Sequence, residues 1–240
     1  MAIEALRAGA SDFLLKPFRV TQVLNAFKHG LERARLQREN WVLKRALQQT
    51  IYQVLLGEAE IRDVRVRSTN GNYDVVPANR ELAGAEVELV DLEQREMRLK
   101  SALATLDHEY DYILIDCPPA LNLLTVNGLC AAHAVLIPMQ CEYYALEGLT
   151  GLVNTIEQVQ ASINPGLQIE GLLRTMFDVR NNLSDAVSEQ LLENFGDKVY
   201  RTIVPRNVRI AEAPSYGMPV LLYDPGSKGA LAYIGLAGEL

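Results

Sequence analysis

The chain has 240 residues, of which 49% are apolar and 22% charged, with a formal net charge of −7. This much apolar surface can offset the entropy of ordering the chain, which excludes a disordered acidic protein, and 16 glycines, 10 prolines and 3 cysteines exclude collagen-like and disulfide-scaffold classes. No stretch approaches the roughly 20 uninterrupted apolar residues of a membrane helix, and the N-terminus lacks a signal-peptide pattern, so a cytoplasmic location without membrane contact is expected.

The charge is unevenly spread. Residues 1–49 hold nine Lys/Arg and four Asp/Glu, a balance of +5, whereas residues 50–240 hold fourteen and twenty-six, a balance of −12. Such a shift indicates segments with different histories or partners. In chain order, residues 2–8 read as a short helix stopped by Gly9, and Asp12-Phe13-Leu14-Leu15 as a short strand closed by Lys16-Pro17. A long helix follows, with Val20, Leu24, Phe27, Leu31 and Ala34 alternating four and three apart, a seam suited to a partner helix.

Beyond residue 51 the predicted elements alternate. Residues 73–76 form a strand after an Asn70-Gly71 turn, and residues 86–106 a long amphipathic helix. Tyr112-Ile113-Leu114-Ile115 is a fully apolar strand entering Asp116-Cys117-Pro118-Pro119, and residues 134–138 a second buried strand. A helix over 145–163 ends at Asn164-Pro165-Gly166, and a strand follows over 169–176. Ser184 is the expected N-cap of a helix running to Phe195 and stopped by Gly196. Strands are expected over 199–204 and 220–223, and Asp224-Pro225-Gly226-Ser227 turns into the last helix.

Apolar strands alternating with helices predict an α/β fold, a mostly parallel sheet with helices on both faces. Ligands of such sheets bind beyond the carboxyl ends of the strands. The residues there are Asp116, Gln140, Asp178 and the run Pro205-Arg206-Asn207. An acid at the end of an apolar strand suits a magnesium ion held through water, or simply caps the next turn, and Asp116 fits either role. Glu142 and Glu147 sit before or on a helix. Cys117, Cys130 and Cys141 have no metal-ligand spacing and read as small buried hydrophobes; His29, His108 and His133 are isolated and read as surface or helix-end residues. Between residues 198 and 228, Lys198, Arg201, Arg206, Arg209 and Lys228 face only Glu212 and Asp224, a local +3 that suits phosphate contact or an ordinary solvated surface.

Two resemblances follow from these residues. Ala5-Leu6-Arg7-Ala8-Gly9-Ala10-Ser11-Asp12-Phe13-Leu14-Leu15-Lys16-Pro17-Phe18 resembles the tail of a response-regulator receiver domain, with Lys16 and Pro17 matching its lysine–proline motif. The resemblance covers residues 1–49 as a receiver fragment and linker helix, without the family's acidic pair or phospho-accepting aspartate. From about residue 51 to the C-terminus the chain resembles the ParA/Soj group of partition ATPases, relatives of MinD. The match is carried by Tyr110-Asp111-Tyr112-Ile113-Leu114-Ile115-Asp116-Cys117-Pro118-Pro119, Ile137-Pro138-Met139-Gln140-Cys141-Glu142-Tyr143-Tyr144-Ala145-Leu146-Glu147-Gly148, Pro205-Arg206-Asn207-Val208-Arg209-Ile210-Ala211-Glu212-Ala213-Pro214-Ser215 and Tyr223-Asp224-Pro225-Gly226-Ser227-Lys228-Gly229.

That resemblance implies a P-loop NTPase-like fold, Mg²⁺ and ATP as cofactors, dimerisation around ATP, non-specific DNA binding and a ParB-like partner. It makes Asp116 the Walker B-like magnesium residue, puts Asp178, Pro205, Arg206 and Asn207 in the nucleobase pocket, and offers Lys198, Arg201, Arg206, Arg209 and Lys228 to DNA. One departure stands out: the 240 residues contain no Gly-Lys dipeptide, so the family's glycine-rich phosphate loop is missing, and with it the first strand, central in the family's sheet. Residues 1–49 stand in its place, as in a fusion of two coding fragments joined near residues 48–51. Three readings follow: a partition ATPase impaired in catalysis, a non-catalytic DNA- or partner-binding module dimerised through residues 20–34, or a receiver-regulated fusion.

Overall fold

Thr50 opens the first helix because its side chain and that of Gln53 satisfy each other's end of the chain. The Thr50 hydroxyl accepts from the Tyr52 amide at 3.3 Å, and the Gln53 carbonyl oxygen accepts from the Thr50 amide at 2.8 Å. The computed structural model describes residues 49–68, 71–106, 109–118 and 122–240, which lie in the unit Gln49–Leu240. The receiver-like strand and Lys16-Pro17, the seam helix, His29, His108 and the tip of the Asn70-Gly71 turn fall outside the described residues.

Helix α1 (Ile51–Leu56) ends at Gly57, whose φ of 81° is left-handed backbone that glycine adopts without strain. A short helix α2 (Ile61–Val64) and a two-residue antiparallel pair, β1 (Val66–Arg67) with β2 (Asp74–Val75), follow. The predicted helix over 86–106 is broken. It becomes α3 (Leu82–Glu88), two 3₁₀ turns (Leu89–Asp91 and Arg95–Met97) and α4 (Arg98–Ala104), with Gln94 at φ 52°. A straight helix would hold Leu89 and Leu99 about 15 Å apart. The break folds both into one cluster with Leu55 and Ala85. Asn127 clamps it, donating to the Arg95 carbonyl at 2.8 Å and accepting from the Leu99 amide at 3.1 Å.

Helix α5 (Leu123–Ala131), strand β3 (Ala134–Gln140), helix α6 (Tyr143–Ser162) and strand β4 (Gln168–Phe177) follow, then helix α7 (Asn182–Phe195) and strand β5 (Val199–Pro205). The strands predicted at 134–138, 169–176 and 199–204 are these three, parallel and in the order β3-β4-β5. Side chains alternate between two layers with the strand period of two. Ile137, Met139, Leu172 and Ile203 face α5, α6 and α7, while Leu136, Leu173 and Val204 face the last helix. The α/β expectation, with helices on both sheet faces, is met. The register slips by one residue at Glu170, where Gly171 lies so close to β5 that a Cβ would come 2.9 Å from the Lys198 carbonyl oxygen.

Three details differ from the sequence reading. Asn181, three residues before Ser184, caps α7, accepting from the Leu183 amide at 3.1 Å. Residues 220–223 are not a strand but one turn of helix, α9 (Val220–Tyr223), after α8 (Val208–Glu212). Val220 turns inward onto Ala213 and Ala230 while Leu221 and Leu222 stay exposed, a pattern without strand alternation. Residues 112–115 form no strand, because no described neighbour supplies their backbone with ladder bonds. Helix α10 (Lys228–Glu239) closes the unit, capped by Ser227, whose hydroxyl accepts from the Ala230 amide at 3.2 Å.

Candidate functional site at the carboxyl ends of the strands

Parallel pairing sets the ends of β4 and β5 side by side, and the Arg206 amide donates to the Phe177 carbonyl at 3.0 Å. Asp178 therefore stands beside Pro205-Arg206-Asn207, so the structure brings Asp178 to a three-residue run that begins 27 positions later in the sequence. The Asp178 carboxylate is already engaged. Arg180 donates to it from Nε at 2.9 Å and Nη2 at 2.8 Å, and the Arg180 amide donates at 3.1 Å. The Arg180 guanidinium, then that amide, and more weakly the Arg206 charge hold the Asp178 carboxyl down at about 2.

Asn207 is committed to capping α8, its side-chain oxygen accepting from the amides of Arg209 at 2.9 Å and Ile210 at 3.3 Å. Gly229, at the start of α10, packs against it: a Cβ there would lie 2.5 Å from Ile210 and 3.3 Å from Asn207. Lys228 thus sits exposed at the same end of the sheet as Arg206. Neither forms an ion pair among the described residues. Arg209 does, with Glu212 at 2.8 Å and Asp224 at 3.3 Å, and Glu212 holds its guanidinium firmly protonated.

The other two cations lie elsewhere. Lys198 precedes β5 and donates to the Ile169 carbonyl at 2.8 Å; Arg201 is near the same amino end, exposed. Seven strand residues separate that end from Arg206 by about 20 Å. The five basic residues form two groups rather than one cluster, and at the carboxyl end Arg206 and Lys228 are the members that form no ion pair with a described carboxylate.

Asp116 lies exposed on residues 109–118, which carry no helix or strand, and no described hydrogen bond or ion pair joins it to Asp178 or Arg206. Among the described residues no group of three or more His, Cys, Asp and Glu is placed to hold a metal ion. A single exposed carboxylate, in a sequence without a phosphate-wrapping loop, does not fit a magnesium–nucleotide complex. Its neighbour Cys117 is exposed as a residue while its sulfur rests over Gly128; burial, then the Asp116 charge, pushes that thiol up. Cys130 and Cys141 are buried as expected, Gln140 ends β3 exposed, Glu142 precedes α6, and His133 is exposed.

Sequence reasoning passed over three residues. Arg180 follows Asp178 by two positions, the spacing of an Asx-type turn, which was a usable signal. Met176 takes φ 52° just before the strand end, and no sequence feature marks it. Arg174 is 7% exposed on β4 and donates to Ser188 Oγ and the carbonyls of Tyr200 and Arg201, with its Nε unpartnered. Burial lowers its pKa, and a lone cation in an apolar strand was the signal.

A model of the AAA domain family matches residues 32–169. The sporulation initiation inhibitor protein Soj of Bacillus subtilis is 52% identical over 197 residues, covering 82% of this chain and 75% of that protein. This chain belongs to the ParA/Soj family. The chromosome partitioning protein ParA of Caulobacter vibrioides is 51% identical over 80% of this chain and 72% of its own length. Among solved structures, cobyrinic acid a,c-diamide synthase of Mycobacterium smegmatis, with bound ATP analog and magnesium, is similar with a TM-score of 0.67 at 37% identity, over 79% of this chain and 70% of that one. The cell division ATPase MinD of Pyrococcus furiosus shares the fold, with a TM-score of 0.63 at 24% identity over 80% and 74% of the two chains. Among the described residues no helix is long and apolar enough to cross a membrane.

Proposed function

We propose that this ParA/Soj-family chain is a partition protein that contacts DNA through the carboxyl end of its sheet and has lost nucleotide turnover. The observation that supports it most is the pairing of Arg206 with Lys228, exposed on adjoining elements and without ion pairs among the described residues, while Arg209 is offset by two carboxylates. Such cations bind phosphates without reading sequence. A ParB-like partner, nucleoid association and a homodimer belong to the same reading. Catalysis is lost because the sequence holds no Gly-Lys loop to wrap phosphates, and Asp116 has no hydrogen bond or ion pair among the described residues.

Titration of duplex DNA at several salt concentrations, without nucleotide, tests the binding claim. Arg206→Glu with Lys228→Glu should flatten the slope of log K against log salt by about 2, whereas Lys198→Glu should change it less. An unchanged slope in the double variant would remove Arg206 and Lys228 from the DNA surface. A thermal melt with Mg²⁺ and ATP tests the second claim. A ligand at 100 times its Kd adds about 2.7 kcal/mol, so an upward shift in Tm would show a working nucleotide site and overturn it.

A further inference from the structure

Strand β5 departs from a regular ladder along its first half. Leu172 pairs with Val199 and Arg174 with Ile203, so β5 uses four residues where β4 uses two. In a regular strand successive peptide groups point to opposite sides. Here two successive peptides point the same way. The carbonyls of Tyr200 and Arg201 both turn inward to Arg174, whose Nη2 donates to them at 2.8 and 3.3 Å. The N–H groups of the same two peptides, those of Arg201 and Thr202, both turn to Glu239 at the end of α10. They donate to its Oε2 at 2.9 Å and its Oε1 at 2.8 Å, and the Thr202 hydroxyl donates to Oε1 as well. That hydroxyl first, and then the two amides, hold the Glu239 carboxyl below the usual carboxylate range.

A buried guanidinium thus lies at the carbonyl end of two aligned peptides, and a carboxylate at their N–H end. Each peptide carries a dipole of about 3.5 D, so both are oriented to favour the positive charge on the inner side and the negative charge on the outer. Hydrogen bonds to ions are the stronger ones, and each polarises the peptide for the other. Arg174 has need of such support, because it is buried and forms no ion pair with a described carboxylate. Its Nη1 donates to Ser188 Oγ of α7 at 2.9 Å. The contacts therefore cross the sheet, from Ser188 on one face through the backbone of β5 to Glu239 of α10 on the other. Helix α7 begins just after Asp178 and Arg180, and α10 begins at Lys228, so the two helices joined are those that start at the candidate site.

We infer that Arg174 and Glu239 act as one peptide-bridged ion pair, a strut through the sheet that couples α7 to α10. Double-mutant cycles on the full chain, read by urea denaturation, test it. Glu239→Gln should lower the folding equilibrium constant of the wild type. In an Arg174→Met background the same change should cost at least about threefold less, because the charge it answers is gone. The Arg201 side chain is another cation close to Glu239. In an Arg201→Gln background the cost of Glu239→Gln should stay within about twofold of its wild-type value. If Arg174→Met does not fold, Ser188→Ala takes its place in the cycle. Ser188 and Glu239 lie on opposite faces of the sheet, and sites that share no contact lose stability additively. A cost of Glu239→Gln that is smaller in the Ser188→Ala background therefore shows the strut. Additive costs in the Arg174 cycle, or in the Ser188 cycle that replaces it, overturn the inference. A coupling of Glu239 to Arg201 larger than that to Arg174 also overturns it, since Glu239 would then be one half of an ordinary surface ion pair.

Discussion

Tyr112-Ile113-Leu114-Ile115 and Ala134-Val135-Leu136-Ile137 are uncharged apolar four-residue runs, β-branched or bulky at every position except Ala134. The second is strand with Ile137 3% exposed; the first has no ladder and leaves Leu114 at 92%. Strand propensity favours the first run if either, with Tyr112 against Ala134, so propensity does not decide the outcome. What differs is the supply of neighbours: β4 beside β3 with helices on both faces, and no described strand beside residues 112–115. A strand is a relation between segments, and its sequence states a demand that another segment must meet.

The sharpest way to break this comparison is to remove the same side chain from each region. Leu172 is fully buried in the middle strand, so Leu172→Ala should cost about 2–5 kcal/mol, the lost transfer energy plus a cavity. Leu114→Ala should stay within about 0.5 kcal/mol. Urea denaturation at low protein concentration reads both, and an equal loss would mean that residues 112–115 are packed after all. A smaller effect sharpens the contrast at the joint between α5 and β3. Asn164 is 8% exposed and donates to the carbonyls of Leu129, Cys130 and Ala132 at 3.0, 3.3 and 2.9 Å. Asn164→Ala strands those buried acceptors and should cost about 1–3 kcal/mol, seen as a lower urea midpoint at unchanged slope.

The same distinction explains what could be read from the sequence. The run at 134–138 announced itself because it is apolar throughout, as a strand buried on both faces is, and those at 169–176 and 199–204 because β-branched and apolar residues dominate around Glu170, Arg174 and Arg201. Residues 112–115 carry that signal equally and were read alike, since the pattern cannot report a missing neighbour. The broken helix over 86–106 kept helical periodicity on both sides of Gln94, and only the long-range clamp from Asn127 reveals the break. Residues 220–223 looked like a strand because four apolar residues are too few to separate the two periods. In the site, the nearness of Asp178 to Pro205-Arg206-Asn207 followed from parallel order. The division of the basic residues did not, because a strand's two ends are adjacent in sequence yet far apart in space.

The finest test concerns Asp178, where two cations approach one half-buried carboxylate from different segments. Its carboxyl is held at about 2, below the ordinary 3.8, so it binds protons less readily folded than unfolded. Its contribution to stability is therefore complete above the usual carboxylate range and is lost as pH falls from about 4 toward 2. The Asp178 side chain is 28% exposed and that of Arg180 85%, so salt should screen much of the effect and the acid-unfolding curve should move only slightly. The informative reading is the titration itself. Arg180 supplies the largest cause, so Arg180→Gln should raise the Asp178 midpoint, followed by carboxyl NMR, most of the way to the ordinary value, while Arg206→Gln should raise it much less. The reverse order would mean that Asp178 answers chiefly to the neighbouring strand end, and that Arg206 is already paired rather than free for an incoming phosphate.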